Sequence, residues 1–283
     1  MTALSIPAPA GPEQDYFVRL FGTLGKWALV TGGATGIGRM IASALARAGA
    51  NVIIASRKES ACRQAAEEIA GEGAVGALFA MGADVGAKDG VTELCERVAA
   101  LTDGLDILVN NSGKTWGAPF ESFPYEAWQS VLSVNLTAPF ALAQGLLPLL
   151  QRNAQPDDPS RIINIGSMVG TQPIAEDAYS YAASKAALHH LTRIMAHELA
   201  ASSITVNAIA PGIFESRMSA YVTEDEERLD RVESKIPLGR LGNAADLAGL
   251  VHLLCGRGGA YMTGAILNLD GGLGIVPPAS LFS

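Results

Sequence analysis

The chain has 283 residues, 49% of them hydrophobic, which is enough to bury one large core. Its formal net charge of −8 argues against a general nucleic-acid surface, because phosphate contacts need clustered Lys and Arg. Cys62, Cys95 and Cys255 are odd in number and widely spaced, so they predict neither a disulfide framework nor a zinc site. We expect a reducing, cytoplasmic setting, with small molecules or other subunits as partners.

The first residues, MTALSIPAPAGPEQD, lack the basic and apolar regions of a secretory signal. Along the chain, no uncharged apolar stretch reaches the roughly 18 residues that a membrane span needs. We therefore expect residues 1–24 to form a loose arm, and we expect neither a membrane nor a nucleic acid as partner.

From Trp27 onward, short runs rich in Val, Ile and Leu alternate with longer Ala- and Leu-rich amphipathic segments. The runs are apolar on both faces, which is typical of strands that helices cover on each side. Seven strands are predicted, at WALVTG, NVIIAS, GALFAMGADV, LDILVNN, RIINIGS, ITVNAIAPG and AILNLDGG. Helices are predicted at roughly 37–48, 60–71, 89–102, 124–151, 178–201 and 243–256. This order predicts one α/β domain over residues 25–283, with a doubly wound, seven-stranded parallel sheet and helices on both faces.

Two segments interrupt the alternation. Residues 153–160, NAQPDDPS, are polar and contain two prolines, as expected of a surface loop. Residues 214–240 are highly charged and follow the carboxyl end of a strand, where ligands bind in open α/β sheets. They predict a lid over a substrate, with a solvated helical face as the alternative.

A glycine-rich turn joins the first strand to the first helix of the alternation. Gly32, Gly36 and Gly38 allow a tight turn and let backbone N–H groups approach a pyrophosphate at the positive end of the helix. Glycines alone are weak evidence, because a plain strand-to-helix turn can also use them.

Five motifs in a fixed order carry a family resemblance. TGxxxGxG begins at Thr31, NNSG covers residues 110–113, Ser167 follows a strand, YxxxK covers residues 181–185, and PG covers residues 211–212. This set resembles the short-chain dehydrogenase/reductase family over nearly everything after residue 25. The segments INIGSMVG, SKAALHHLTRIMAHEL and GAYMTG look most similar to bacterial 3-oxoacyl reductases, in particular the branch associated with rhamnolipid synthesis. The resemblance implies a Rossmann-like fold, an NAD(P)-dependent oxidoreductase, and a homotetramer or homodimer.

The end of the second strand indicates which nicotinamide cofactor is used. An acidic residue there would bind a ribose 2′-hydroxyl and repel a 2′-phosphate, whereas this chain has Ser56 and Arg57. A guanidinium suits a phosphate, and Lys58 adds positive charge. We predict NADP(H). NAD(H) remains the alternative, because Thr35 stands where many NADP-binding relatives carry a basic residue.

Other cofactor contacts follow from the resemblance only. Asp84 matches the residue that binds the adenine amino group, although an Asp that caps a helix is an equal alternative. Ser112 replaces the usual Ala of NNAG, and Ser216 stands where many relatives have Thr. The cofactor-binding residues predicted in this way are Gly32, Gly36, Ile37, Gly38, Ser56, Arg57, Asp84, Val85, Asn111, Lys185, Pro211, Gly212 and Ile213.

Two tyrosines, Tyr179 and Tyr181, precede a lysine in YSYAASKAALHH. Residues four apart on a helix share a face, so Tyr181 can lie beside Lys185, whereas Tyr179 is paired with Ala183. An ammonium near a phenol stabilises the phenolate and lowers the pKa of the phenol. We therefore predict that Tyr181 is a general acid activated by Lys185, which by resemblance also binds the nicotinamide ribose.

The resemblance assigns two further catalytic residues. Ser167 matches the serine that hydrogen-bonds the substrate carbonyl, and Asn135 matches the asparagine that kinks a helix and links the lysine to solvent. By itself, Asn135 is equally well a polar residue of no special role inside a helix. His189, His190 and His197 share one predicted helix, but a third ligand on one face is missing, so we predict no metal site.

The substrate is less well defined. In fatty-acid-synthesis relatives two arginines dock an acyl carrier protein, and the matching positions here are Ala141 and Ser202, so Arg193 or Arg217 would have to substitute. A 3-oxoacyl thioester or a free ketone is predicted, with Trp116, Met168, Phe214 and Met218 as pocket or core residues. The alternatives are a sugar, polyol or steroid dehydrogenase and a non-enzymatic NADP sensor.

Ala-rich helix faces over 136–150 and 182–200 fit subunit contacts or internal burial.

Overall fold

The computed structural model of the chain describes residues 12–173, 177–215 and 225–275. Seven strands within these ranges form one parallel sheet with the spatial order β3-β2-β1-β4-β5-β6-β7. The strands are β1 Trp27–Thr31, β2 Asn51–Ser56, β3 Leu78–Gly82, β4 Ile107–Asn110, β5 Ser160–Ile165, β6 Ile204–Pro211 and β7 Ile266–Leu269. All seven lie in the predicted runs except that β5 begins one residue earlier, at Ser160, so the predicted fold class is confirmed.

Helices connect successive strands and cover both faces of the sheet. The α-helices are α1 Pro12–Phe21, α2 Gly36–Arg47, α3 Glu59–Gly71, α4 Lys88–Leu101, α5 Tyr125–Leu132, α6 Ala138–Gly145, α7 Leu147–Asn153, α8 Tyr179–Leu199, α9 Glu226–Glu233 and α10 Ala244–Cys255. Short 3-10 helices cover Phe120–Ser122, Met168–Gly170, Ala200–Ser202, Arg257–Gly259 and Leu273–Ile275, and a π-helix covers Ser133–Thr137.

The two faces of the sheet bury separate hydrophobic cores. On one face α2, α3 and α10 pack on the strands, with Ile41 and Leu254 fully buried. On the other face α4, α6 and α8 do the same, with Leu94 and Leu142 in the core. Helices on both faces explain why the strands are apolar along their whole length.

The strand order reverses between β1 and β4. Leu29 of β1 is in register with Ile53 of β2 on one side and with Leu108 of β4 on the other. From β1 the chain therefore winds outward in both directions, and the connections leave a crevice at the carboxyl ends of these strands. Ligands of open α/β sheets bind at such a switch point, so we expect the ligand-binding site at this edge of the sheet.

The helix predicted as continuous over 124–151 is broken, so that part of the prediction is wrong. A π-helical turn separates α5 from α6, and the segments Tyr125–Gly145 and Leu147–Asn153 meet at a bend of 57°. Pro148 in the first turn of α7 lacks the N–H that would continue the hydrogen-bond ladder. Among the described helices, no single one is long and apolar enough to cross a membrane, and this bent pair meets that criterion only in combination.

The N-terminal segment differs from the loose arm predicted for residues 1–24. Within it, α1 contacts the turn Arg257–Gly259 and α10. Thr23 is buried and its hydroxyl donates to the carbonyl oxygens of Leu45 and Ala48, both at 3.3 Å. The sequence gives little sign of this docking because the helix is short. Residues 1–11 lie outside the described ranges.

The two segments that interrupt the alternation also have defined structure. In the 153–160 loop the Asp158 carboxylate pairs with the Lys26 ammonium at 2.6 Å, so this loop is anchored to the sheet. In the predicted lid, α9 is capped by Asp225, and none of the residues of α9 is buried, as expected of a solvated helical face. Residues 216–224, including Ser216, Arg217 and Met218, lie outside the described ranges, and the lid role stays a prediction.

Candidate active site

The glycine turn after β1 is packed too closely for side chains. Gly32 and Gly36 have φ angles of +63° and +53°, a region that favours glycine. A Cβ at Gly38 would lie 2.3 Å from both the Asn111 side-chain nitrogen and the Gly32 carbonyl oxygen. These glycines are therefore required by the local backbone, whether or not a phosphate binds.

The amino end of α2 is open to an anion. Its cap residue, Thr35, accepts no side-chain cap hydrogen bond from any described residue, so the first N–H groups of the helix keep their capacity to donate. The helix dipole adds positive potential at this end. Together with the glycine turn, this arrangement fits a dinucleotide pyrophosphate.

Ser56 and Arg57 lie at the carboxyl end of β2, as predicted. The Ser56 hydroxyl is 3.0 Å from the buried Cys62 sulfur, and the Arg57 side chain is exposed. Within the part of the chain that the structure describes, Arg57 has no ion-pair partner, whereas Arg63 on the following helix is paired with Glu59. An anion that bound the Arg57 guanidinium would therefore not have to displace an ion-pair partner among the described residues.

Asp84, Val85 and Asn111 lie around the same crevice. The Asp84 carboxylate accepts a hydrogen bond from the Gly86 N–H at 3.0 Å, but the cap of α4 is Ala87, so the helix-cap alternative does not hold. Val85 is buried. The Asn111 side chain donates to the Thr31 carbonyl at 2.9 Å and so braces the glycine turn. Cofactor contacts of these three residues stay predictions.

The carboxyl end of β6 completes this edge. Pro211 is the last residue of β6, and the Gly212 N–H donates to the Leu269 carbonyl at 2.9 Å. A Cβ at Gly212 would lie 2.7 Å from the Asp270 Cα, so a glycine is needed for close packing. The Ile213 carbonyl accepts from Gly242 at 3.0 Å. The backbone from Pro211 to Ile213 is thus fixed against β7. Its contact with a nicotinamide stays a prediction.

Tyr181, Lys185 and Ser167 are brought together by α8 and the end of β5. Lys185 is 4% exposed, and its ammonium donates to the Ile165 carbonyl at 2.6 Å. The Lys185 nitrogen lies 5.6 Å from the centroid of the Tyr181 ring. The Ser167 hydroxyl is close enough to the Tyr181 phenol to lower its pKa in part. The predicted proximity of these groups is therefore observed.

The direction of the Tyr181 pKa is opposite to the one predicted. Burial raises the pKa of Tyr181, and the hydrogen bond from Ser167 lowers it in part. Burial also lowers the pKa of Lys185 to about 8, because its ammonium is almost fully removed from water. The Lys185 ammonium donates to the Ile165 carbonyl and not to the Tyr181 hydroxyl. Burial is therefore the largest influence on the pKa of Tyr181. Tyr181 therefore keeps its proton at neutral pH.

Asn135 lies in the π-helical turn and is fully buried. Its side-chain oxygen accepts from the Lys114 N–H at 2.8 Å, and its nitrogen donates to the Lys114 carbonyl and to the Ser184 hydroxyl, each at 2.9 Å. These three hydrogen bonds give Asn135 a structural role, and its catalytic role stays a prediction. Asn135 ties the loop after β4 to α8. π-bulges of this kind are frequent at functional sites.

Tyr179 points to different neighbours. Its ring packs edge-on against Phe123 and Phe120, at centroid distances of 5.4 and 5.7 Å, and its hydroxyl donates to Asp177 at 3.3 Å. This asymmetry between the two tyrosines agrees with the helical spacing. Tyr181 is the tyrosine of the site.

The predicted pocket residues separate into core and surface. Phe214 is buried in the core beside Gly242, where a Cβ would lie 2.5 Å from its ring. Met168 is also buried, whereas Trp116 is 45% exposed at the start of the loop after β4. A cleft of about 70 Å³ next to Phe214 is lined by Ile236 and Leu241 among others. Core packing therefore accounts for Phe214.

Sequence reasoning missed two residues that contact the catalytic group. The Ser184 hydroxyl links Asn135 to the Tyr181 carbonyl, to which it donates at 2.7 Å. His189 is buried one helical turn beyond Lys185. Helical spacing from Lys185 signals His189, whereas nothing in the sequence singles out Ser184. Among the described residues, no group of three His, Cys, Asp or Glu side chains could hold a metal ion.

A parallel sheet with an open glycine turn at its switch point, next to buried Asn135, Ser167 and Lys185 and a half-buried Tyr181, defines a dinucleotide-dependent oxidoreductase. The family described as Enoyl-(Acyl carrier protein) reductase matches residues 32–274. The chain therefore belongs to the short-chain dehydrogenase/reductase family.

Individual relatives narrow the comparison. The rhamnolipids biosynthesis 3-oxoacyl-[acyl-carrier-protein] reductase of Pseudomonas aeruginosa is 45% identical over 252 residues, which cover 89% of this chain and 97% of the relative. The 2-dehydro-3-deoxy-D-gluconate 5-dehydrogenase of Bacillus subtilis is 40% identical over 260 residues, covering 91% and 98%. The solved structure of the Pseudomonas aeruginosa RhlG/NADP active-site complex has a TM-score of 0.87 and 44% identity, covering 90% of this chain and 99% of that one.

Proposed function

We propose that the protein is an NADPH-dependent reductase that converts a 3-oxoacyl thioester to the 3-hydroxyacyl form. The observation that carries this proposal is that Ser167, Tyr181 and Lys185 lie together at the carboxyl edge of the sheet, with the Lys185 nitrogen 5.6 Å from the centroid of the Tyr181 ring. A non-enzymatic sensor would need no such group. Similarity to the Pseudomonas 3-oxoacyl reductase and to an NADP complex supports the reaction and the cofactor.

A bound NADPH supplies the hydride for the carbonyl carbon. The residues that hold it are, we propose, the glycine turn and the open end of α2 at the pyrophosphate, and Ser56 with Arg57 at the 2′-phosphate. Asp84, Val85 and Asn111 would line the adenosine and ribose side. Lys185 and the segment from Pro211 to Ile213 would line the nicotinamide side, where the backbone is fixed by β7.

The chain supplies proton transfer and charge stabilisation. Tyr181 donates its proton to the carbonyl oxygen, and its raised pKa keeps that proton available at neutral pH. The Ser167 hydroxyl orients the oxygen and stabilises the charge that develops on it. Lys185, with a pKa of about 8, is mostly charged at pH 7 and stabilises the phenolate that remains after the transfer. Asn135 fixes the loop that borders Lys185: a Cβ on Gly113 would lie 4.0 Å from the ammonium.

The charge of the protein indicates which group carries the acyl chain of the substrate, coenzyme A or an acyl carrier protein. The net charge of −8 and the uncharged Ala141 and Ser202 give little attraction for an acidic acyl carrier protein, and only Arg193 is exposed nearby on α8. A coenzyme A thioester is therefore an efficient substrate under this proposal. Acetoacetyl-CoA should cause a decrease in NADPH absorbance, and a panel of sugar acids and ketosteroids should not.

A sugar-acid dehydrogenase is the second candidate, supported by the Bacillus gluconate-type relative at 40% identity. Turnover of sugar acids with no turnover of acetoacetyl-CoA would replace the main proposal by this one. Binding of NADPH without turnover of any compound in the panel would favour the sensor.

We also propose the organisation around this activity. Residues 25–283 act as one catalytic domain, with 214–240 as its lid, and the protein works in the cytoplasm as a homotetramer or homodimer. Phe140 on α6 and Ile194 on α8 are 46% and 48% exposed, which supports a subunit contact through these helices. Light scattering should give a dimer or tetramer mass that Phe140→Glu and Ile194→Glu together reduce.

A further inference from the structure

His189 is a buried titratable residue that the proposed mechanism does not use. Its side chain is 4% exposed, on α8 one turn beyond Lys185. The Nε2 atom has no hydrogen-bond partner among the described residues, and Nδ1 is 3.5 Å from the Thr171 hydroxyl. A buried polar atom without a hydrogen-bond partner lowers the stability of the fold, so hydrogen bonding does not explain a histidine at position 189.

The imidazole lies between two glycines that bracket Ser167. A Cβ at Gly166 would lie 2.1 Å from Nε2, and a Cβ at Gly170 would lie 2.8 Å from Cε1 of the ring. His189 thus occupies the volume that both glycines leave free.

The turn from Gly166 to Gly170 is also held by backbone bonds at its ends and by one long hydrogen bond, in which the Ser167 hydroxyl accepts from the Val169 N–H at 3.4 Å. The Gly166 N–H donates to the Ile209 carbonyl at 2.7 Å, and the Gly170 N–H donates to the Ser167 carbonyl at 3.0 Å. The two backbone bonds do not set the direction of the Ser167 side chain, and the 3.4 Å bond to the Val169 N–H is at the long limit of hydrogen-bond distances. The imidazole contacts the turn on both sides of Ser167, so it limits how the turn can rotate.

The ring is uncharged under working conditions. Burial, followed by the nearby Lys185 and Arg193 cations, lowers the pKa of His189 to about 4. A neutral ring can pack one turn from the Lys185 ammonium without repelling it, which a permanently charged side chain of similar size could not do.

We propose that His189 is a positioning residue: wedged between Gly166 and Gly170, its neutral imidazole fixes the Ser167 turn so that the Ser167 hydroxyl meets Tyr181. This inference rests on the proposed reductase function, because Ser167 must act on the substrate carbonyl for its direction to matter. It predicts that position 189 needs a side chain that fills the space of the imidazole. It also predicts that positions 166 and 170 need glycine, because a Cβ there would overlap this side chain.

A double-mutant cycle tests whether His189 acts through Ser167. We expect His189→Ala to lower kcat for acetoacetyl-CoA about ten- to hundredfold, the cost of a misplaced catalytic group, with the dissociation constant for NADPH unchanged. In a Ser167→Ala background the same change should cost less than about twofold. His189→Gln should recover much of kcat, and the exposed neighbour variant His190→Ala should match the wild type.

The outcomes separate the inference from the function. If Ser167→Ala alone leaves kcat unchanged, the proposed mechanism fails. If Ser167→Ala lowers kcat but His189→Ala leaves it unchanged, or lowers it equally in both backgrounds, the positioning role is refuted.

A second cycle needs no activity and so remains decisive if acetoacetyl-CoA is not turned over. Gly166→Ala should lower the melting temperature strongly in the wild type, because its Cβ meets Nε2 at 2.1 Å. In a His189→Ala background the loss should be much smaller, since the nearest remaining atom is the Ile209 oxygen at 3.2 Å. Equal losses in the two backgrounds would show that His189 does not wedge the turn.

Discussion

The two ends of the crevice are built in different ways. At the cofactor end, which comprises the glycine turn, Ser56 and Arg57, the fit to a ligand depends on backbone shape and on an exposed cation. At the catalytic end, which comprises Asn135, Ser167, Tyr181 and Lys185, it depends on mostly buried side chains, of which Asn135 and Lys185 are held by hydrogen bonds to Ser184 and to nearby backbone.

This difference indicates which substitutions each end of the crevice tolerates. Backbone shape tolerates changes of neighbouring side chains but no added Cβ, because the close contacts are to main-chain and amide atoms. A buried polar group fails when one partner is lost, because the remaining partners are left without hydrogen bonds. We therefore expect chemistry to be lost at one end and cofactor binding at the other.

The largest effect is expected for Tyr181→Phe. Removing the proton donor should lower kcat about 10²- to 10⁴-fold and leave the NADPH dissociation constant nearly unchanged, as measured by stopped-flow turnover and fluorescence titration. Tyr179→Phe is the matched control, since its hydroxyl contacts Asp177 instead of the catalytic group. Retention of kcat by Tyr181→Phe would end the proposed mechanism.

At the cofactor end, Gly38→Ala should lower stability by about 3 kcal/mol and weaken NADPH binding, because the new Cβ would overlap the Gly32 carbonyl and the Asn111 amide. Thermal unfolding and NADPH titration measure the two effects. Gly71→Ala is the control: no atom lies within 4 Å of its Cβ position, so stability should hardly change. Normal NADPH binding by Gly38→Ala would contradict the assigned phosphate site.

Arg57→Ala should raise the Michaelis constant for NADPH about ten- to hundredfold with little effect on NADH, because one charge-assisted phosphate contact is lost. Arg63→Ala removes an equally exposed guanidinium that pairs with Glu59 and should leave both constants unchanged. Equal changes for NADPH and NADH in Arg57→Ala would refute the selectivity assigned to this residue.

The smallest effect is a pH dependence of the catalytic end. Burial lowers the pKa of Lys185 to about 8, so the ammonium is present below that pH and is lost as the pH rises through it. Since the pKa of Tyr181 is raised, Tyr181 does not ionise first. We expect kcat to fall about tenfold between pH 7 and pH 9. Lys185→Arg should move this decline to higher pH if it folds, and an unmoved decline in folded protein would exclude Lys185 as its source.

Much of the fold could be predicted because its signals are local. Apolar runs bounded by Gly or Asn located all seven strands, and Ala- and Leu-rich periodicity located most helices within one or two residues. The resemblance indicated a kink at Asn135, but the hydrogen bonds that hold the π-helical turn could not be predicted, because they join Asn135 to Lys114 and Ser184, which are distant in sequence. For α1 the decisive contacts are to α10 and the turn before β7.

In the candidate site, the sequence predicted which side chains meet, and the helical spacing of Tyr181 and Lys185 was enough for that. It did not predict the direction of the Tyr181 pKa, since desolvation depends on everything that packs around the phenol. From the sequence, His189 was considered as a metal ligand and rejected, and its packing between Gly166 and Gly170 could not be predicted, because neither glycine is near it in the chain.

The sequence by itself determined the order of strands and helices, the glycine turn, and the identity of the tyrosine that can reach the lysine. These follow from residue periodicity and local backbone sterics, which act over a few positions. Tertiary structure alone decided the hydrogen bonds that hold the π-helical turn, the burial of Lys185, the raised pKa of Tyr181, and the packing of His189 between Gly166 and Gly170. These depend on desolvation and close packing between segments that the sequence keeps far apart.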